Sequence, residues 1–129
     1  MPIVDMQFEN GIFSVREVGY VSAEDALSWV QAARHHALNN ETPITLLVDA
    51  TQATTICMDA RKIFAQASDM PNVQVAAVAV NPENMRGAQH SRITALLASI
   101  RKTHETHFFD SMEEANQFIS QYQDQAAAR

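Results

Sequence analysis

The spacing of apolar residues changes several times along the chain, and each change marks an element. Pro2 to Phe8 and Ile12 to Val18 are short β-prone runs. Between them, Glu9-Asn10-Gly11 contains the Asn-Gly pair that accepts the positive φ angles of a tight hairpin turn, so two antiparallel strands are predicted. Ser22 then offers a helix N-cap with Asp25 three residues on. Ala26, Trp29, Val30, Ala33 and Ala37 follow at the helical period as far as Asn39-Asn40. Pro43 opens Ile44-Thr45-Leu46-Leu47-Val48, an apolar run without strict alternation, which is the pattern of a strand buried on both faces of a parallel sheet.

The alternation of strand and helix continues. Ala60, Ile63, Phe64 and Ala67 form a helical stripe, and Val73 to Val80 forms a second small-apolar strand ended by Asn81-Pro82. Ile93, Leu96, Leu97 and Ile100 predict a third helix and His104 to Phe109 a last strand. Asp110 with Glu113 then reads as the capping box of a helix carrying Ala115, Phe118, Ile119 and Tyr122. The predicted order is ββαβαβαβα. Strands alternating with helices of this length are joined by right-handed crossovers, which implies an α/β fold with a mostly parallel central sheet and the opening hairpin at its edge. Residues 1–122 read as a single domain without an internal linker, and 123–129 as an extension of the last helix or a frayed tail.

Composition narrows the function classes. At 129 residues, 47% hydrophobic and 19% charged, the chain has material for one packed core and too little charge for disorder. Its net charge of −6 opposes attraction to nucleic acid phosphates and to anionic membrane surfaces, so no nucleic acid partner is expected. No stretch approaches the ~20 apolar residues of a membrane span and no basic leader precedes an apolar run, which sets the expectation of a cytoplasmic protein. The single cysteine, Cys57, excludes an internal disulfide and a Cys-rich zinc site.

Two phrases suggest a relationship. Leu46-Leu47-Val48-Asp49-Ala50-Thr51 runs from the buried strand into what reads as a loop. Near the end, His107-Phe108-Phe109-Asp110-Ser111-Met112-Glu113-Glu114-Ala115 leads from a strand into an acidic amphipathic helix. With the element order, these phrases make nearly the whole chain resemble the STAS domains, in particular the SpoIIAA-like branch that overlaps with SEC14-type proteins. The resemblance implies a non-catalytic signalling module of the anti-sigma factor antagonist kind. Its hallmark is an Asp-Ser-Ser-Gly phrase at the start of a helix, whose second serine a partner kinase phosphorylates. Counting from Asp49 as the strand-end aspartate sets Cys57-Met58-Asp59-Ala60 on that phrase, with Asp59 where the phosphoacceptor would stand and no serine to modify. Asp59 would then fix a negative charge at a helix N-terminus, which the dipole favours by about 0.3–1 kcal/mol, or would serve only as an N-cap.

The remaining candidates carry less specific chemistry. Thr51, Thr54 and Thr55 offer hydroxyls for phosphate, and Cys57 offers a thiol near a helix start, with Asp59 working against its activation. His35-His36 lie about 100° apart on a helix, and His104 and His107 fall on opposite faces of a strand, so neither pair converges on a metal. Arg86, after the strand ending at Val80, is placed to meet an anion at a carboxyl strand end. No nucleophile is paired with a base at a legible spacing, so no enzyme, cofactor or metal is expected. The leading expectation is a module that docks another protein through the Thr51 to Asp59 loop and the following helix. The alternative is a small carrier of an apolar, lipid-like molecule with Met58, Met70 and Met85 lining its pocket. Self-association is left open.

Overall fold

A computed structural model describes residues 3–67, 70–81 and 105–127. Five strands, β1 (Ile3–Glu9), β2 (Ile12–Val21), β3 (Ile44–Ile56), β4 (Val73–Val80) and β5 (Glu105–Phe109), lie side by side in sequence order. β1 and β2 are antiparallel and every later pair is parallel, as the alternation predicted. Three helices belong to the described residues: α1 (Ala23–Leu38), α2 (Met58–Ala67) and α3 (Met112–Ala127). The predicted helix over Ile93 to Ile100 lies outside the described residues.

The hairpin forms where expected. Asn10 and Gly11 both take positive φ, 55° and 77°, so the two-residue turn twists with its strands and sets Glu9 opposite Ile12 and Phe8 opposite Phe13. β1 is not regular. Asp5 sits at φ 54°, the register breaks between Val4 and Gln7, and the Asp5 carboxylate pairs with the Arg16 guanidinium at 2.6 Å.

Two cores flank the sheet. On one face, Phe13 and Val15 of β2 and Leu46, Val48, Ala50 and Ala53 of β3 meet Ala26, Trp29, Val30, Ala33 and Ala37 of α1, the stripe read from the sequence. Trp29 stacks on Phe64 of α2 with ring centroids 5.4 Å apart. On the other face Leu47, Ala77 and Ala79 pack under Ala115 and Ile119 of α3. β4 can be buried on both faces because its alanines let helix and sheet approach closely. Two of the described histidines pack against aromatic rings: His36 stacks on Phe8 at 4.5 Å and His107 tilts against Phe118 at 4.7 Å.

Caps and a long-range staple fix the helix ends. Ser22 Oγ accepts from the Asp25 N–H while the Asp25 carboxylate accepts from the Ser22 N–H, a complete capping box. Asn72, at φ 61°, donates through Nδ2 to the carbonyls of Ala37 at 2.6 Å and Asn40 at 3.0 Å, tying the end of α1 to the start of β4. At α3 the cap is Ser111, whose Oγ accepts from the Glu114 N–H at 3.2 Å, one residue later than the Asp110 and Glu113 box expected. No helix among the described residues is long and apolar enough to cross a membrane.

The largest departure concerns the segment expected to be a loop from Thr51 to Asp59. β3 continues through Ile56, Cys57 alone links it to α2, and Met58 and Asp59 are already helical. The strand gets past its turn-like residues by bulging. Arg16 faces Asp49 but Val18 faces Gln52, and Gly19 faces Ala53 but Tyr20 faces Thr55, so β3 spends one extra residue at each break. At the first break Asp49 Oδ1 accepts from the Thr51 N–H at 3.0 Å and from Thr51 Oγ1 at 2.6 Å, closing a turn within the strand.

Candidate functional site

The carboxyl ends of β2 and β3 and the first turn of α2 meet at one end of the sheet, the end at which open α/β sheets bind their ligands. Cys57 organises the junction. Its N–H donates to the Val21 carbonyl at 3.1 Å, its carbonyl accepts from the Arg61 N–H at 3.0 Å, and its Sγ accepts from the Ala60 N–H at 3.4 Å. Cys57 is therefore the N-cap of α2, and Asp59, expected as a cap, stands inside the first turn instead. Arg61 reinforces the junction from within, its Nε donating to the Ile56 carbonyl at 2.9 Å.

Around this junction the surface carries two large apolar side chains. Tyr20 is 57% exposed at the end of β2, opposite Thr55, and Met58 is 50% exposed at the start of α2. Asp59 is exposed beside Met58 in sequence, where its negative charge suits the helix N-terminus. Of the large exposed apolar side chains among the described residues, which also include Met6, Leu27 and Leu38, Tyr20 and Met58 are the two at this strand end. Sequence reasoning missed Tyr20. Its position directly after Gly19, at the end of an alternating run, was the available signal.

The sequence-derived candidates divide into two groups. Thr55, Cys57, Met58 and Asp59 gather at the junction, with exposed Thr54 next to them on β3. Asp49 and Thr51 belong to the bulge further back, and at about 3.3 Å per residue the strand sets Asp49 roughly 20 Å from the junction. Both are half-buried and bonded to each other, so they shape the strand. Arg86 and Met85 lie outside the described residues. Met70 is fully buried whereas Met58 is on the surface, so these two do not line a common cavity. The outer face of α3 offers only an open depression along Glu113, Asn116, Gln117, Ser120 and Gln121.

A buried acid lies beneath α1. Glu17 follows Phe13 and Val15 on the inward side of β2 and is 2% exposed. Burial pushes its carboxyl from 4.5 up to about 7; the Trp29 indole N–H draws it part of the way back, and the carboxylates of Asp25 and Asp49 push it further up. Neither Glu17 Oε2 nor Trp29 Nε1 reaches ordinary hydrogen-bond geometry with any partner among the described residues, so the indole compensates only by proximity. The two-residue alternation pointed Glu17 inward all along.

No family model matches the sequence, and no curated protein matches it. Among solved structures the chain is similar to an uncharacterized protein of the DUF3478 family with a SpoIIAA-like fold from Shewanella loihica PV-4. The TM-score is 0.60 at 15% identity, covering 90% of this chain and 92% of that one. It is equally similar to an anti-sigma factor antagonist from Mycobacterium paratuberculosis, with a TM-score of 0.60 at 14% identity, covering 92% and 94%.

Proposed function

We propose that this chain, whose fold is SpoIIAA-like, is a non-catalytic regulatory module of the cytoplasm that docks a protein partner through Tyr20, Thr55, Met58 and Asp59 at the start of α2. The observation that carries the reading is the pair of large apolar side chains, Tyr20 and Met58, left exposed around a rigidly capped helix start. The shared fold with an anti-sigma factor antagonist supports it at the level of architecture. In this reading Asp59 supplies a permanent negative charge where the resembled family carries a phosphorylatable serine, so docking would not wait on a kinase.

The test uses a photo-crosslinking residue at position 58 in the intact chain, in native lysate, with position 117 on the outer face of α3 as control. One protein should be captured from position 58 and not from 117, and Asp59→Lys should reduce its recovery at least tenfold while Asp59→Ser weakens it less. Equal capture from both positions, or recovery indifferent to Asp59→Lys, removes the proposal.

A further inference from the structure

Glu17 takes no part in the docking surface, yet it occupies a place in the core that an apolar residue would fill at less cost. As an anion it has only the nearby Trp29 indole N–H to draw on, and that N–H is not in hydrogen-bond geometry. Asp25, at the start of α1 with its carboxylate held by the Ser22 N–H and Oγ, repels it, and Asp49 of β3, held by Thr51, adds a smaller repulsion. Arg61 of α2 is committed through Nε to the Ile56 carbonyl, and His36, further along α1, stacks on Phe8 and tilts against Phe13. Buried and repelled by these carboxylates, Glu17 is better accommodated as the neutral acid, the indole N–H offsetting only part of the penalty.

The strand that carries Glu17 is also irregular beside it. Its pairing with β3 breaks between Arg16 and Val18 and again between Gly19 and Tyr20, and Gly19 holds a φ of 70° that a residue with a Cβ rarely adopts. Residues 17–20 thus contain both register breaks, next to the regular ladder from Ile12 to Arg16. We propose that Glu17 is a buried proton-binding switch beside Trp29: the neutral acid stays in the core between β2 and α1, and the carboxylate, which the indole N–H alone does not compensate for lost water, moves toward solvent, re-seating residues 17–20. The span ends at Val21, whose carbonyl receives the Cys57 N–H, so the movement reaches the cap of α2. The switch stands on its own geometry, independent of whether that surface docks a protein.

Trp29 is the only tryptophan in the chain, so its fluorescence reports this site alone. Emission of the intact protein is recorded from pH 5 to 9 beside Glu17→Gln, with carboxyl-carbon and amide NMR on the unsubstituted chain. The expected result is an emission change with its midpoint near pH 7, shared by the Glu17 carboxyl and the amides of Val18, Gly19 and Tyr20, and absent in Glu17→Gln. An unchanged titration in Glu17→Gln assigns the effect to another group and overturns the proposal. So does a Glu17 midpoint near 4.5, or a carboxyl that titrates while residues 18–20 stay still. Should Glu17→Gln fail to fold, the NMR midpoints decide alone.

Discussion

At the scale of single residues, Glu17 dominates because it works against the fold it belongs to. Its pKa is about 7 when folded and 4.5 when not, so below 4.5 both states carry the proton and stability is undiminished. Between 4.5 and 7 the unfolded chain releases the proton while the folded one retains it, and stability falls as pH rises; above 7 the loss is complete. A shift of this size corresponds to roughly 3 kcal/mol. Urea denaturation should find Glu17→Gln close to the unsubstituted chain at pH 5 and more stable than it at pH 8 by about that amount. Parallel pH profiles for the two would refute the assignment. Sequence reading passed over this residue, although Phe13, Val15 and Glu17 share one parity, which was the available signal. The cap of α2 was not legible: whether Cys57 or Asp59 caps depends on where β3 ends, and that is decided by pairing with β2.

Among the elements, the strands and helices of the described residues were readable from period, turn residues and caps, and the errors fell at the far ends of β2, read as stopping at Val18, and of β3. Asp49-Ala50-Thr51 has local turn chemistry, and a local reading takes it as the end of the strand. The sheet overrides it because β2 extends to Val21 and offers partners as far as Ile56, while the Asp49 side chain absorbs the extra residue. Asp49→Ala removes both acceptor contacts at the bulge. Amide exchange at Gln52 to Ile56 should then accelerate at least tenfold while Leu46 to Val48, paired on both sides by β2 and β4, keep their protection. Uniform acceleration along β3 would mean that the bulge bond supports the whole strand instead.

For the whole molecule, the element order predicted the layering, because helices that alternate with parallel strands must cover the sheet. What it left out were the contacts that join distant segments. Asn72 is the clearest, a residue without periodic signature that bonds carbonyls more than thirty positions earlier. Asn72→Ala loses these bonds and forces a Cβ-bearing residue without a local hydrogen-bonding side chain into φ 61°, which should cost about 2–4 kcal/mol. Asn72→Gly, which relieves only the backbone strain, should recover about 1 kcal/mol of that in thermal unfolding. If the two variants melt together, the staple and not the conformation accounts for the loss.

The kink in β1 reaches beyond the single molecule. β1 forms one margin of the sheet, where a straight strand would offer its free backbone groups to the same margin of a neighbouring copy. Asp5 interrupts that row with a left-handed residue, and its carboxylate, tied to Arg16, adds charge at the same place. A kinked margin carrying an ion pair is a poorer template for edge-to-edge pairing than a straight apolar one, and so works against the stacking of copies into fibres.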